Sequence, residues 1–372
     1  MKQKITVRDI DVGQRLDKFL LSHLPQYSRA FLKEQIKQGN IFVYPERSRE
    51  VNGITVKPSY VLQAGDEVLF TLPEQPEKIL VPNPDIKLDV IYEDDNVLVI
   101  DKPAGLSVHP RMDKSLRPVS TETKNTLVSS LIAYYPELAD VGDNPLVRPG
   151  LVHRLDKDTS GVMIIAKNQT AFEWLKQQFK GHLAAKKYLA LVHGHLKEKE
   201  GRIKCFLKRS PDPTKQQVAS YEPLLPSDEG RVGWGDEGIP NTTPSQSPPQ
   251  LRGRGKAREA ISDYKVIKEF KDYSFIEVAP KTGRFHQIRA QFAWLGHPVV
   301  GDTKYGGNRQ KPEGLERQFL HAEELAITLP ASLASLEPRR SGPTGGPNGQ
   351  KKTFNASLPD DLRAILEALE NK

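Results

Sequence analysis

PGLVHRLDKDTSGVMIIAKN, at residues 149–168, is the stretch from which the fold of this chain can be argued. Its segment VMIIA is a compact apolar run, which predicts a buried strand. The polar residues DKDTSG lie directly before that run and predict a turn that leads into the strand. The turn presents two carboxylates, Asp156 and Asp158, beside the cations Arg154 and Lys157. These residues make the turn a candidate catalytic loop.

Several enzyme classes use paired carboxylates or a Ser/Thr-Gly turn, and most of them do not fit this loop. An aspartic protease needs two Asp-Thr/Ser-Gly turns that share one proton, and here Asp158-Thr159-Ser160-Gly161 has one residue too many and no second copy. The Gly-x-Ser-x-Gly motif of serine hydrolases is absent, as are the phosphate-binding glycine motifs. Two interpretations stay open. Asp156 and Asp158 either cap a turn and pair with neighbouring cations, or cut a glycosidic bond as a carboxylate pair.

Length, charge and cysteine content narrow the class of protein. The 372 residues suffice for two or three domains, and the net charge of +7 permits a nucleic-acid partner. No apolar run is long enough to cross a membrane, and the start MKQKITVRDI has no apolar signal core, so we expect neither a membrane protein nor a secreted one. Cys205 is the single cysteine, which predicts a cytoplasmic location and excludes a zinc cage of cysteine pairs. No metal site is predicted, because His193 and His195 share one strand face.

Composition divides the chain into four segments. Residues 1–72 are rich in short elements, and residues 73–84 hold four prolines in twelve positions, which predicts a stiff linker. Residues 85–330 alternate β-branched runs with amphipathic patterns and form the main body. A flexible insertion without periodicity interrupts that body at 211–256. Residues 331–372 are predicted to form a flexible loop, including 337–352, and a C-terminal packing helix.

HRLDKDTSGVMIIAKN, at residues 153–168, closely resembles the defining motif of the RluA family of pseudouridine synthases, and other segments match this family in order. Upstream, VIYEDDNVLVIDKPAGLSVHP resembles the family's opening hairpin and its Lys-Pro-Ala-Gly turn. Downstream, KKYLALVHG, EAISDYKVI, KTGRFHQIRAQFAWLGHPVVGDTKYGG and LHA follow. The resemblance implies an α+β catalytic domain at 85–330. Its pseudouridine synthase fold would have a mixed, largely antiparallel sheet with flanking helices.

The first segment has a resemblance of its own. RLDKFL, SRAFLKEQIKQGNIFV, VNG and GDEV, within residues 15–68, resemble the S4 RNA-binding domain, a small α/β domain. From charge alone, the basic residues of the predicted helical hairpin are equally typical of a solvated helix face. The resemblance implies that this face grips structured RNA through Arg15, Lys18, Arg29, Lys33 and Lys37.

The family resemblance also implies a role for four residues of the main body. Asp156 would be the catalytic carboxylate, which either attacks the anomeric carbon of a uridine or acts as a base on its ribose. Arg284 would supply the guanidinium that keeps Asp156 ionised. Tyr188 would stack on the target base, and Arg154 would enter the RNA where the flipped base left a gap. The reaction involves no redox change or net hydrolysis, so no cofactor is expected.

Three further residues near these motifs are predicted to be structural. His286 and Arg289 share one face of the predicted helix FHQIRAQFAWLG, and we expect them to contact the backbone rather than to take part in catalysis. His153 is interpreted in the same way.

The predicted function is therefore the isomerisation of uridine to pseudouridine in RNA. Large-subunit ribosomal RNA is the expected substrate and transfer RNA the second, with no obligatory protein partner. A non-catalytic RNA-binding factor for ribosome assembly is the alternative from another class. Loss of Asp156, Tyr188 or Arg284 would indicate that alternative, and all three residues are present.

Overall fold

The computed structural model describes residues 2–24, 27, 29–45, 56–72, 80–110, 123–212, 214–221, 257–330 and 349–371. These residues cluster into two compact units. The first contains residues 1–87, 107–151 and 166–172, and the second contains 88–106, 152–165 and 173–372. The contacts thus group 107–151 with the N-terminal residues, and the predicted domain limits at 72 and 85 stay a prediction.

The N-terminal part of the first unit is a small sheet packed on two helices. Strands β1 (Lys2–Thr6), β2 (Ile41–Tyr44) and β3 (Glu67–Thr71) pair antiparallel in the order β1-β3-β2. Helices α1 (Leu16–His23) and α2 (Arg29–Lys37) form the hairpin that the sequence predicts. Their apolar residues Phe19, Leu20 and Ile36 are fully buried, so residues that the sequence places at helical spacing form the core of this part.

The first unit also contains helix α3 (Leu127–Tyr134), which is capped by Thr126. The segment 80–87 lies against this helix, since Ser130 Oγ donates to the carbonyl of Ile86 at 2.6 Å and Tyr134 donates to that of Pro84 at 2.9 Å. Residues 73–79 of the predicted linker lie outside the described part of the chain. Residues 80–84, the remainder of that linker, are tied to α3 by the hydrogen bond at Pro84.

The second unit is built on one large sheet. Its strands are β4 (Asp89–Glu93), β5 (Val97–Lys102), β6 (Ser160–Ala166), β7 (Ala185–His193), β8 (Glu200–Arg209), β9 (Gln216–Tyr221), β10 (Arg258–Phe270), β11 (Tyr273–Pro280), β12 (Leu320–Pro330) and β13 (Gly349–Asn355). Within the described residues their order is β4-β5-β6-β12-β7-β11-β10-β8-β9, with β13 paired to β12. Because β6 and β12 pair parallel and the neighbours from β12 to β9 pair antiparallel, the sheet is mixed and mostly antiparallel, as predicted.

Three helices lie between or after the strands of this sheet in the chain. They are α4 (Gln169–Lys180), α5 (Gln287–Trp294) and α6 (Asp360–Glu370). Trp174 of α4 donates its indole N–H to the carbonyl of Thr328 on β12 at 3.0 Å. In α6, Leu362 and Ile365 are buried in one apolar cluster, which confirms the packing stripe predicted for this helix.

Gly161 marks the point where the predicted strand meets its parallel partner. It pairs with Ala322 of β12 and has a φ of 119°. A Cβ atom added there would lie 2.7 Å from the backbone nitrogen of Ala322, closer than any side chain tolerates. Only glycine fits this contact, which accounts for the Ser-Gly that ends the polar turn.

Two strands lie where the sequence predicts flexible loops, and both predictions are corrected. Strand β9 occupies the start of the predicted insertion at 211–256, because Val218 packs against an apolar cluster beneath this edge. Strand β13 overlaps the predicted loop at 337–352, because Phe354 is buried and the strand pairs with β12. Residues 222–256 and 331–348 of these segments lie outside the described part.

Lys102 ties the turn after β5 to the polar loop before β6. Its ammonium is fully buried and donates to the carbonyls of Pro103 at 2.5 Å, Leu106 at 3.0 Å and Lys157 at 3.1 Å. Three donors meet three acceptors, so each proton of the ammonium has a partner. The Lys-Pro-Ala-Gly turn therefore holds the loop that carries Asp156.

Replacing Lys102 with methionine tests this clamp. The side chain keeps its volume, but the buried carbonyls lose their donor, so we expect the free energy of unfolding to fall by about 2–4 kcal/mol. Lys187→Met is the matched control, because Lys187 makes partly exposed ion pairs with Glu277 and Glu324. Its loss should cost about 1 kcal/mol or less. Urea unfolding of both variants measures the difference, and equal losses would contradict the clamp.

The same lysine predicts a pH dependence of stability. Burial lowers the pKa of Lys102 to about 7 from its ordinary 10.5, despite the opposing charge of Asp158. Between these two values the unfolded chain binds more protons than the folded one, so the contribution of Lys102 to stability rises with pH, by at most about 1.4 kcal/mol per pH unit. The wild-type advantage over Lys102→Met should therefore be larger at pH 9 than at pH 6 in urea unfolding. A difference that does not change with pH would contradict the lowered pKa.

Candidate active site

The loop 152–159 is fixed to its surroundings in the second unit by several hydrogen bonds. The Thr159 N–H donates to the carbonyl of Asp156 at 3.2 Å and closes a turn. The Thr159 hydroxyl accepts from Gln318 at 2.7 Å, and the N–H of Ile164 donates to His153 Nε2 at 3.0 Å. Burial lowers the pKa of His153 to about 3, so its ring is neutral and accepts this bond. His153 is a backbone-contacting residue, as the sequence predicts.

Asp156 is held by a buried arginine at the centre of the site. Arg289, on α5, donates Nη1 to Oδ2 of Asp156 at 2.8 Å. The same guanidinium donates Nε and Nη2 to the two carboxylate oxygens of Asp302, at 2.6 and 2.7 Å. The Asp156 side chain is 17% exposed, whereas those of Arg289 and Asp302 are buried. Asp156 is thus the member of this triad that a substrate can reach.

Asp302 fixes the geometry of Arg289. Its Oδ1 also accepts the backbone N–H groups of Lys304 and Tyr305, at 2.9 and 3.1 Å. Burial opposes the charge of this carboxylate, but the hydrogen bonds and charge of Arg289 prevail and lower the pKa of Asp302 below its usual range. Asp302 is therefore ionised and cannot rotate away, so Arg289 presents Nη1 to Asp156 in one orientation.

The guanidinium on Asp156 is not the one that the sequence indicates. Arg284 was expected to make this contact, but its Nε donates to the carbonyl of Glu259 at 2.8 Å. The pairing is corrected to Arg289. The reason is the backbone at the start of α5, where the chain turns at His286 before the helix begins. A role of Arg284 in supporting the site in another way stays a prediction.

His286 is the second residue that reaches Asp156. Its Nε2 lies 3.6 Å from Oδ2 of Asp156, and its Nδ1 lies 3.0 Å from the hydroxyl of Tyr305. Burial, the largest effect, lowers the pKa of His286 to about 4, so the ring is neutral at neutral pH. The sequence predicts a structural or backbone-contacting role for His286 and Arg289, and the contacts of both residues include the side chain of Asp156. The signal in the sequence was the spacing of three residues between these two polar side chains, although His286 lies just before α5 in the left-handed region and not on a face of the helix.

Tyr188 and Arg154 both feel the charge of Asp156. Tyr188 is half-buried on β7, and burial together with the charge of Asp156 raises the pKa of its hydroxyl well above the ordinary value, so it stays protonated. Arg154 is exposed, and its guanidinium carbon lies 5.6 Å from the centre of the Phe285 ring. The structure therefore brings Asp156, Tyr188 and Arg154 into one site. This group offers a carboxylate, a neutral phenol and an exposed cation.

The five basic residues predicted to bind RNA lie in the first unit, and four of them fall into two kinds. Arg15 and Lys33 contact Asp17, a fully buried carboxylate, at 3.0 and 3.4 Å. Lys18 and Lys37 are exposed on α1 and α2. Arg29 begins α2, and its side chain lies outside the described part. Two of the predicted RNA contacts thus neutralise a buried charge in the protein itself.

Two kinds of feature are absent from the described residues. No helix among them is both long enough and apolar enough to span a membrane. The same residues contain no group of three or more His, Cys, Asp or Glu side chains arranged to hold a metal ion.

Comparison with known proteins shows which family the chain belongs to. The family model described as RNA pseudouridylate synthase matches residues 96–294, which is more than half of the chain. An RNA pseudouridine synthase of Aquifex aeolicus is 36% identical over 96% of this chain and 94% of its own length. The RNA pseudouridine synthase YlyB of Bacillus subtilis is 31% identical, with 98% of this chain and 97% of the relative covered.

A further relative carries a more specific name. The ribosomal large subunit pseudouridine synthase D of Xylella fastidiosa is 32% identical over 99% of this chain and 92% of its own length. The matched segment contains Asp156, Tyr188 and Arg289, the three residues whose charges and hydrogen bonds meet in the site. The chain belongs to the RluA family of RNA pseudouridine synthases, and it is an RNA pseudouridine synthase.

Proposed function

We propose that this synthase modifies large-subunit ribosomal RNA and that Asp156 is its catalytic carboxylate, acting on a uridine flipped out of the RNA. The full-length similarity to relatives named ribosomal large subunit pseudouridine synthase D supports the choice of RNA. We also propose a cytoplasmic location, where a lone cysteine such as Cys205 stays reduced.

The contact between Arg289 and Asp156 is the observation that carries the catalytic proposal. A carboxylate attacks an electrophilic carbon or removes a proton only when it is ionised, and a guanidinium at 2.8 Å favours the ionised form. The second carboxylate, Asp302, is buried and occupied on both oxygens, so it does not compete for the substrate. Asp156 is therefore the carboxylate of this triad that is both paired with a guanidinium and accessible to a substrate.

The reaction follows from this arrangement. The bond between the base nitrogen and the anomeric carbon of the ribose breaks, with Asp156 either bonding to that carbon or taking a proton from the ribose. The base turns and its carbon 5 bonds to the anomeric carbon, while the bond from Asp156 to that carbon breaks or, on the other route, Asp156 returns the proton to the ribose. The proton on carbon 5 leaves and the released nitrogen gains one, so atoms and electrons balance without a co-reactant. Tyr188, which stays neutral, offers a face for stacking the base, worth about 1–3 kcal/mol.

Arg154 is proposed to offset the cost of base flipping. Its guanidinium is exposed beside Phe285 and lies close enough to Asp156 to feel its charge. Extrusion of a base costs a few kcal/mol because stacking and pairing are lost. A planar cation that enters the vacated space regains part of this stacking.

The proposal for Asp156 has a matched control in the same loop, because Asp158 is an exposed carboxylate two residues away. Asp156→Asn should abolish pseudouridine formation, lowering the rate by at least about 10⁴-fold, whereas Asp158→Asn should retain most of the activity. Carbodiimide labelling and primer extension on large-subunit ribosomal RNA transcripts map the product. Stops with wild type and Asp158→Asn, and none with Asp156→Asn, are the expected result.

Two other outcomes separate the parts of this proposal. If wild type marks transfer RNA transcripts and leaves ribosomal RNA unmodified, the choice of RNA is wrong and the catalytic role stands. Full activity of Asp156→Asn on any RNA would contradict the catalytic role.

We also propose that the N-terminal α1–α2 hairpin forms the RNA-binding face of an S4-like domain. Lys18 and Lys37 are exposed there, while Arg15 and Lys33 neutralise the buried Asp17. Because exposed lysines release counterions from RNA, they contribute to affinity without supporting the core. The two kinds of residue should therefore respond differently to substitution.

Lys18→Gln and Lys37→Gln together should weaken RNA binding and reduce its salt dependence by about one to two counterions, with the melting temperature unchanged. Lys4→Gln on β1 is the control, since Lys4 is also exposed in this unit and pairs with Glu67 at 2.8 Å. Arg15→Gln should instead lower the melting temperature, because it leaves Asp17 with less compensation. Filter binding at several salt concentrations measures the affinity, and an unchanged salt slope in the double variant would contradict the assignment.

A further inference from the structure

His286 adopts a backbone conformation that is rare for a residue with a side chain. Its φ is 52°, in the left-handed region, and it is buried at the start of α5. Such conformations persist only where the surroundings hold them, and they cluster at functional sites. Here the ring is stacked on Phe285, with 3.7 Å between centroids, and meets the Tyr305 ring edge-on at 5.6 Å. The strained backbone aims the imidazole at Asp156.

A continuous series of polar contacts runs from strand β9 to Asp156. The backbone N–H of Gln216 donates to the Tyr305 hydroxyl at 2.7 Å. That hydroxyl lies 3.0 Å from His286 Nδ1, and His286 Nε2 lies 3.6 Å from Oδ2 of Asp156. The last contact is longer than a hydrogen bond, as catalytic contacts often are before substrate binds. The catalytic loop is thus connected to an edge strand that lies outside the family's motifs.

The direction of this series favours one tautomer of the imidazole. The Tyr305 oxygen accepts from Gln216, so its own proton is available for His286 Nδ1. A neutral imidazole that accepts at Nδ1 carries its hydrogen on Nε2, the nitrogen that faces Asp156. Burial raises the pKa of Tyr305 to about 12 and lowers that of His286 to about 4, which agrees with a neutral phenol and a neutral imidazole.

Both side-chain contacts to Asp156 fall on the same oxygen. Arg289 Nη1 lies 2.8 Å from Oδ2, and His286 Nε2 approaches the same atom. We propose that Tyr305 sets His286 as the Nε2–H tautomer, and that His286 with Arg289 holds Oδ2 so that Oδ1 is the oxygen presented to the ribose. Tyr305 and His286 are then positioning residues, with their anchor in the backbone of β9. This inference rests on the proposed catalytic role of Asp156.

The variant His286→Asn separates positioning from folding. Asparagine tolerates the left-handed backbone, and its side-chain amide reaches the position of Nδ1 but not that of Nε2. It therefore keeps a polar partner for Tyr305 and removes the donor to Asp156. Tyr305→Phe keeps the ring over Arg289, whose guanidinium carbon lies 5.3 Å from its centre, and removes only the hydroxyl. Tyr264→Phe is the control for loss of a tyrosine hydroxyl in the core, where that group bonds to the carbonyl of Glu198.

The test is steady-state kinetics on an RNA that the wild-type enzyme modifies, with melting temperatures measured alongside. We expect His286→Asn to lower kcat by about 10- to 100-fold, with KM for the RNA changed by less than about twofold. Tyr305→Phe should lower kcat by a smaller factor, and Tyr264→Phe should leave kcat unchanged. Because Tyr305 acts through His286, the double variant should be no slower than His286→Asn alone.

Three results would contradict the positioning role of His286 and Tyr305. The first is a kcat of His286→Asn equal to that of the wild type. The second is that the effects of His286→Asn and Tyr305→Phe on kcat multiply in the double variant, and the third is that only KM changes. Asp156→Asn, measured in parallel, keeps the two proposals apart. If Asp156→Asn is inactive while His286→Asn is fully active, the positioning role of His286 is wrong and the catalytic role of Asp156 stands. An active Asp156→Asn enzyme would overturn the proposed function itself.

Discussion

The site depends on one buried guanidinium shared between two carboxylates. Arg289 gives two hydrogen bonds to Asp302 and one to Asp156, so the fully buried partner fixes the arginine and the arginine fixes the accessible partner. A buried charge without compensation is costly, and the buried charges of Arg289 and Asp302 compensate each other. The three residues come from the loop before β6, helix α5 and the turn after it, and these hydrogen bonds hold the three elements together.

Much of the fold could be predicted from the sequence, because apolar periodicity reports burial directly. The all-buried run of β6, the α1–α2 hairpin and the stripe of α6 are found where the pattern places them. Strands β9 and β13 were missed, although each pairs with the strand that precedes it in the chain. Their polar composition and the neighbouring Pro/Gly-rich stretches resemble loops, and only pairing with β8 or β12 makes them strands.

The sequence predicts which residues lie in the candidate site better than it predicts which of them contact each other. Asp156 lies where the motif indicates, and Tyr188 and Arg154 lie within reach of its charge. The error concerned which arginine pairs with Asp156. Arg284 and Arg289 stand on either side of His286, whose left-handed backbone redirects the chain, and a linear motif does not reveal such a turn. Asp302, which orients Arg289, lies thirteen residues further along the chain and had no signal of its own.

The hydrogen bond that ends on Tyr305 comes from the backbone of residue 216 and not from its side chain. Every amino acid except proline supplies that N–H. The identity of residue 216 can therefore drift through evolution without loss of this tether, while a single proline there would sever it. The tether thus depends on the strand geometry of β9 and not on which side chain residue 216 carries, so that side chain can vary while the contact to Tyr305 is kept.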